Sequence, residues 1–109
     1  MKPRDLARLA QLADLRADRS AARLAKIQGL IDTLESKAAA LREARPEQPE
    51  SIAEAVMRDR WNRWRAQQVG VLNTQIARLQ VVAQPQREVH ARDRAHTMVL
   101  ARVRDRLTR

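Results

Sequence analysis

The sequence contains no cysteine, phenylalanine or tyrosine, and only two tryptophans and two glycines. Without cysteine there is no disulfide framework, thiol nucleophile, iron–sulfur site or Cys-type zinc site. Charge recurs every few residues from Met1-Lys2-Pro3-Arg4-Asp5 onward, which excludes a signal-peptide core and any run of ~18 apolar residues. The expectation is a soluble, cytoplasmic protein with no membrane insertion. Bulky apolar residues are scarce too: 44% of the 109 residues are apolar, but 19 of these are alanine, too little bulk for a compact globule. Phosphate loops of the GxxxxGK[ST] or GxGxxG type are absent, since Gly29 and Gly70 stand alone within helical sequence.

What the chain has in quantity is Ala, Leu, Arg, Glu, Gln and Asp, the composition of long helices. The concentrated breaker is Arg45-Pro46-Glu47-Gln48-Pro49-Glu50, and a proline disfavours helical geometry in the residue before it, so a first helix should stop near Arg45. Ser51-Ile52-Ala53-Glu54 then has the Ser-x-x-Glu capping-box pattern that opens a second helix. Pro3 suits the first turn of the first helix, where its missing N–H costs nothing. The expected fold is all-α: one hairpin over residues 1–109, with helix one at about 4–45, a loop at 46–50 and helix two at about 51–108.

Stepping by four and three residues gives Leu6, Ala10, Ala13, Ala17, Ser20, Leu24, Ile27, Ile31, Leu34, Ala38 and Leu41, with no charge among them. That series is a coiled-coil seam. In the second half, Met57, Trp61, Trp64, Gln68, Leu72, Ile76, Leu79 and Ala83 form a stripe with one long step around Gln68, and His96, Leu100, Val103 and Leu107 continue it. A short connection makes the helices antiparallel neighbours. A turn centred between Glu47 and Gln48 pairs residues whose numbers sum to about 95, such as Leu34 with Trp61, Ile31 with Trp64 and Ala17 with Leu79. It buries both tryptophans and leaves the last fifteen to twenty residues as an overhang beyond helix one. Pro85 should kink a continuing helix. Leu12 and Leu15 fall off the seam, either as scattered surface leucines or as a second contact.

Catalytic constellations are lacking. His90 and His96 lie on different helical faces and no carboxylate completes a metal-ligand spacing, so they read as solvated or interface histidines. Two packed helices offer no cleft for desolvating a carboxylate pair. No cofactor, metal or enzymatic activity is expected. The net charge of +9 favours acidic partners or nucleic acid. Arg58, Arg60, Arg63 and Arg65 surround Trp61 and Trp64, and Arg87, Arg92, Arg94, Arg102, Arg104, Arg106 and Arg109 populate the C-terminal part, with Asp59, Glu88, Asp93 and Asp105 interspersed. Nucleic-acid binding by this basic rod is therefore a disfavoured alternative.

Leu6-Ala7-Arg8-Leu9-Ala10-Gln11-Leu12, the run Trp61-Asn62-Arg63-Trp64-Arg65 through Val71 to Leu79, and the basic C-terminal helix resemble the FliJ family of flagellar export proteins and its YscO-like relatives in type III secretion. The resemblance implies a coiled-coil stalk, peripheral at a secretion apparatus, that binds and promotes a hexameric export ATPase and approaches an export gate. Carried over by position, Leu6, Leu9, Leu12 and Leu15 with Leu100, Val103 and Leu107 would meet the ATPase. Trp61, Trp64, Leu72 and Ile76 would meet the gate. A structural or adaptor coiled coil that self-associates through its seam is the other alternative.

Overall fold

The computed structural model describes residues 2–44 and 48–108. The protein is an all-α antiparallel hairpin of two helices, α1 (Pro3–Glu43) and the longer α2 (Ile52–Thr108). Arg45, Pro46 and Glu47, where helix one was expected to stop and the loop to begin, lie outside the described residues.

Local chemistry sets the ends. The Lys2 carbonyl accepts the first bonds of α1 from the N–H groups of Asp5 and Leu6, at 3.0 and 3.1 Å, with Pro3 in the first turn. Ser51 caps α2: its Oγ accepts from the Glu54 N–H at 3.1 Å, while the Glu54 carboxylate accepts from the Glu50 N–H at 2.7 Å. This is a capping box whose return bond reaches one residue further back than Ser51. Asp5 and Glu54 in the first turns, and Arg42 and Arg106 in the last, complement the helix dipoles.

The seam read along α1 is the observed one, since each of its eleven positions is buried or half-buried. Ile31 and Ala38 are enclosed most completely among its apolar members. The seam along α2 keeps Leu72, Ile76, Leu79, Ala83 and Leu100 of the expected stripe and differs from it elsewhere. It runs through Asn62, Arg65, Val69, Leu72, Ile76, Leu79, Ala83, Gln86, His90, Asp93, Thr97 and Leu100, every one half-buried or buried, in alternating steps of three and four. No long step occurs at Gln68. The repeat is continuous, but half of its members are polar, so apolar spacing does not reveal it. Trp64, Met57, Val103 and Leu107, expected on the seam, are exposed.

The chain divides into two compact units, one formed by Met1–Gln28 with Val81–Arg109 and the other by Gly29–Gln80. In the first, Ser20 is fully buried and its Oγ lies 3.0 Å from His90 Nδ1 and 3.1 Å from the Ala17 carbonyl. With the hydroxyl donating to Ala17 O and the imidazole N–H donating to the hydroxyl, this buried group is satisfied. Its pairing gives residue numbers that sum to 110, not 95. At that sum the α1 positions Ala10, Ala13, Ala17 and Ser20 stand level with Leu100, Thr97, Asp93 and His90, small residues opposite larger ones.

In the second unit, Arg65 Nη1 donates to the Ala44 carbonyl at 2.6 Å and Arg42 Nη2 donates to Asn73 Oδ1 at 3.0 Å, with sums of 109 and 115. Leu34 therefore stands level with Ile76, not Trp61. The tight-turn register fails because α1 ends beside Arg65, so residues 52–64 of α2 extend past it by about 20 Å. The seven residues between Ala44 and Ile52 have a maximum reach of about 26 Å, which covers that distance. Much of the surplus length of α2, 57 residues against 41, sits beside the turn, and α2 residues up to Leu100, which were expected to overhang in part, lie against α1, while residues 101–108 are exposed.

α2 passes through Pro85 without a break. Proline removes the hydrogen bond to the carbonyl four residues back, here Val81, and both Pro85 and Val81 are exposed, so water can serve that carbonyl. Pro85→Ala should consequently raise stability, by up to about 3 kcal/mol in urea unfolding, because it restores a helical bond and disturbs no packing. The register has a direct check in a chain free of native cysteine. Ser20→Cys combined with His90→Cys should form an intramolecular disulfide on mild oxidation, whereas Ser20→Cys with Gln75→Cys, the pair required by a sum of 95, should not.

Candidate functional site

With each seam covered by the partner helix of the same chain, any site must lie on the remaining faces. The first unit carries one: Leu9, Leu12 and Arg16 on α1 and His96, Val99 and Leu100 on α2 line a groove of about 290 Å³ with Ala13 and Asp93 at its floor. It forms because Leu9 and Leu12 flank the α1 seam on the side where His96 and Val99 flank the α2 seam. Leu12 is 57% exposed and Leu15 is 55% exposed, well above the seam residues. Further along α2, Val99 and Val103 share a smaller cleft with Arg102 and Arg106.

Apart from Trp61 and Trp64, the residues proposed from the resemblance separate into three groups. Leu9, Leu12 and Leu100 meet in the groove, and exposed Val103 and Leu107 follow along α2. Leu6 is buried in the seam, and Leu72 and Ile76 are half-buried seam positions, so these three act first in packing. Leu15 is exposed but does not line the groove. Sequence reasoning missed Val99, Arg16 and Asp93 as groove residues. Val99 would have been found by extending the polar-tolerant α2 repeat through Leu100 and asking which apolar residue flanks it.

The second unit carries a different surface at the start of α2. Ile52, Val56, Met57 and Trp64 are exposed there, Trp64 at 49%, because α1 ends before reaching them. Trp61 is half-buried, and the Arg65 guanidinium lies 5.1 Å above its ring centre. That stacking, with the bond to Ala44 O, makes Arg65 a cap on the end of α1. Arg63 pairs with Asp59 at 3.0 Å, and Arg58 is half-buried beside the Gln48–Glu50 segment. Three of the four arginines around the tryptophans thus have local neighbours within this unit.

The Ser20–His90 pair looks superficially like a nucleophile and its base. Ser20 is fully enclosed and bonded to Ala17 O, so no substrate atom can approach its Oγ, and the pair acts as a seam contact. Among the described residues, no three His, Asp or Glu side chains are grouped to hold a metal ion, and no helix is long and apolar enough to cross a membrane.

The distribution of charge adds an observation that helix-by-helix counting hides. Residues 1–28 and 81–109 contain 14 Lys and Arg against six Asp and Glu, a net +8, while residues 29–80 contain eight against seven, a net +1. Both tryptophans lie in the nearly neutral unit.

Their different settings should be measurable. In single-tryptophan variants, Trp64 (with Trp61→Phe) should be quenched strongly by acrylamide and emit at longer wavelength than Trp61 (with Trp64→Phe); equal quenching would contradict the end of α1 at Arg65. No family model, curated protein or solved structure matches the chain.

Proposed function

We propose that this chain is a non-enzymatic helical-hairpin stalk that works by holding protein partners, with its coupling to a hexameric export ATPase, as in the FliJ and YscO-like families, as the specific role. The observation that carries this reading is the exposure of apolar side chains off closed seams in both units: Leu9, Leu12 and Leu15 in one, Ile52, Val56, Met57 and Trp64 in the other. Apolar patches kept in water at such positions are a feature of interaction surfaces. In this reading the unit holding the termini engages the ATPase through Leu9, Leu12, Val103 and Leu107, and Trp64 belongs to the gate-side surface. Cytoplasmic placement, peripheral to the apparatus, goes with the same role.

The two alternatives fare less well. Self-association through the a/d seam would have to displace α2 from α1, since that seam is occupied within the chain. Nucleic-acid binding by phosphate contact and base stacking needs cationic and aromatic groups on one surface. Here Trp61 is half-buried under Arg65, whose guanidinium is bonded to the Ala44 carbonyl, Arg63 pairs with Asp59, and the net excess of charge lies in the unit without tryptophan.

The test is to add the purified chain to the export ATPase from the same source. Turnover or hexamer formation, followed by phosphate release and light scattering, should rise several-fold, and Leu12→Glu should reduce the effect. An unchanged ATPase at micromolar excess of the chain would defeat the stalk reading.

A further inference from the structure

We infer that the groove of the unit built from Met1–Gln28 and Val81–Arg109 is a docking site for an acidic amphipathic helix of a partner protein. This deepens the protein-holding role proposed above and rests on it. Leu9 and Leu12 form one wall and Val99 and Leu100 the other, and exposed Val103 and Leu107 prolong the α2 wall. From His96 to Leu107 the strip is about 17 Å long, three turns of a helix laid along it. A concave channel between two helices receives a third helix as a bundle does, by side chains on one stripe entering the gap.

The occupant's backbone is decided by what the groove lacks. Neither wall is a sheet edge, so an extended peptide would find no ladder of backbone partners and would have to desolvate its own N–H and C=O groups. A helix satisfies those groups internally. A planar membrane surface fits a recessed channel less well, and this unit has no aromatic residue to anchor at a headgroup layer.

Its charge is decided by the rims. Arg8 stands one turn before Leu12 and Arg16 one turn after it, while Arg102 and Arg106 share a cleft with Val99 and Val103. Arginines therefore border the apolar strip on both helices, within a unit of net +8. A partner helix with an apolar stripe flanked by Glu and Asp meets complementary charge on each side. A second copy of this unit would bring +8 against +8, which opposes self-docking. Nucleic acid would use the arginines but waste the aliphatic walls.

The experiment uses the full chain and two fluorescein-labelled synthetic helices. Both carry leucine at i, i+4, i+7 and i+11; one is flanked by glutamate and its twin by lysine. In anisotropy titrations the glutamate helix should bind at one per chain, with the lysine twin about tenfold or more weaker. Leu12→Glu and Val99→Glu, both at exposed positions, should each weaken binding by about tenfold or more while helicity by circular dichroism stays unchanged. Leu30→Glu, at an exposed position of the other unit, should leave binding intact. The inference is overturned by absence of glutamate-helix binding, by equal binding of the two helices, or by equal loss with Leu30→Glu. It is likewise overturned if Leu12→Glu abolishes binding to phosphatidylserine vesicles or single-stranded DNA and not to the glutamate helix. ATPase stimulation without binding of the glutamate helix would remove this inference and leave the stalk; specific helix binding with an inert ATPase would do the reverse.

Discussion

The structure depends on one constraint: the α1 seam is lined with small residues over the stretch from Ala10 to Ser20, and whatever faces it must fill that space. His90 does so most visibly, hydrogen-bonded to a serine that is entirely out of water. A leucine at Ser20 would collide with the imidazole, and an apolar residue at His90 would leave the Ser20 hydroxyl with only its bond to Ala17. A slip of one heptad would place Ala83 or Thr97 opposite Ser20 and give up the bond. Buried polar pairs of this kind contribute only about 1 kcal/mol each, yet they distinguish one alignment from its neighbours more sharply than aliphatic contacts do.

Once that alignment is set, the rest of the geometry is arithmetic. Pairing at a sum of 110 brings α1 to its end beside Arg65, where the guanidinium caps the Ala44 carbonyl and covers Trp61. The helix that remains, from Ile52 to Trp64, has no α1 to pack against, and its apolar side chains stay in water. By the same arithmetic the C-terminal part of α2 is paired with the N-terminal part of α1. The groove between Leu12 and Val99 exists for that reason. An overhang that includes residues 93–100 and a groove lined by them are mutually exclusive, and the register selects the groove.

How much of this could be read from the amino acids depends on which strand is considered. The α1 seam was legible in full because its eleven positions carry no charge, and the Ser51 cap and the two-helix plan were legible from local chemistry. The α2 seam was legible only at Leu72, Ile76, Leu79, Ala83 and Leu100, because Asn62, Arg65, Gln86, His90, Asp93 and Thr97 occupy positions where a hydrophobicity pattern sees interruptions. Trp61 and Trp64, the most apolar-looking residues nearby, drew the stripe one position off. A sum of 95 fails with that stripe, because α1 ends beside Arg65 and not beside the first residues of α2. Leu12 and Leu15 were legible as off-seam residues, but Val99 was not, since its importance comes from a neighbour about ninety positions away in sequence.

Antiparallel folding also changes the meaning of the charge. Counted along the chain, the two halves on either side of Pro46 are similar, +4 and +5, and the excess is diffuse. Counted by unit, +8 of +9 belongs to residues that fold together, because the basic beginning of α1 and the basic end of α2 are brought into one body. Like charges gathered in this way repel by an amount that depends on salt, and the fold tolerates it because the seam residues beneath are neutral on α1 and Asp93 lies among them on α2. A protein selected only for a stable hairpin would gain from spreading that charge evenly. Its concentration in the unit that carries the Leu12–Val99 groove is the electrostatic setting from which an acidic partner is inferred.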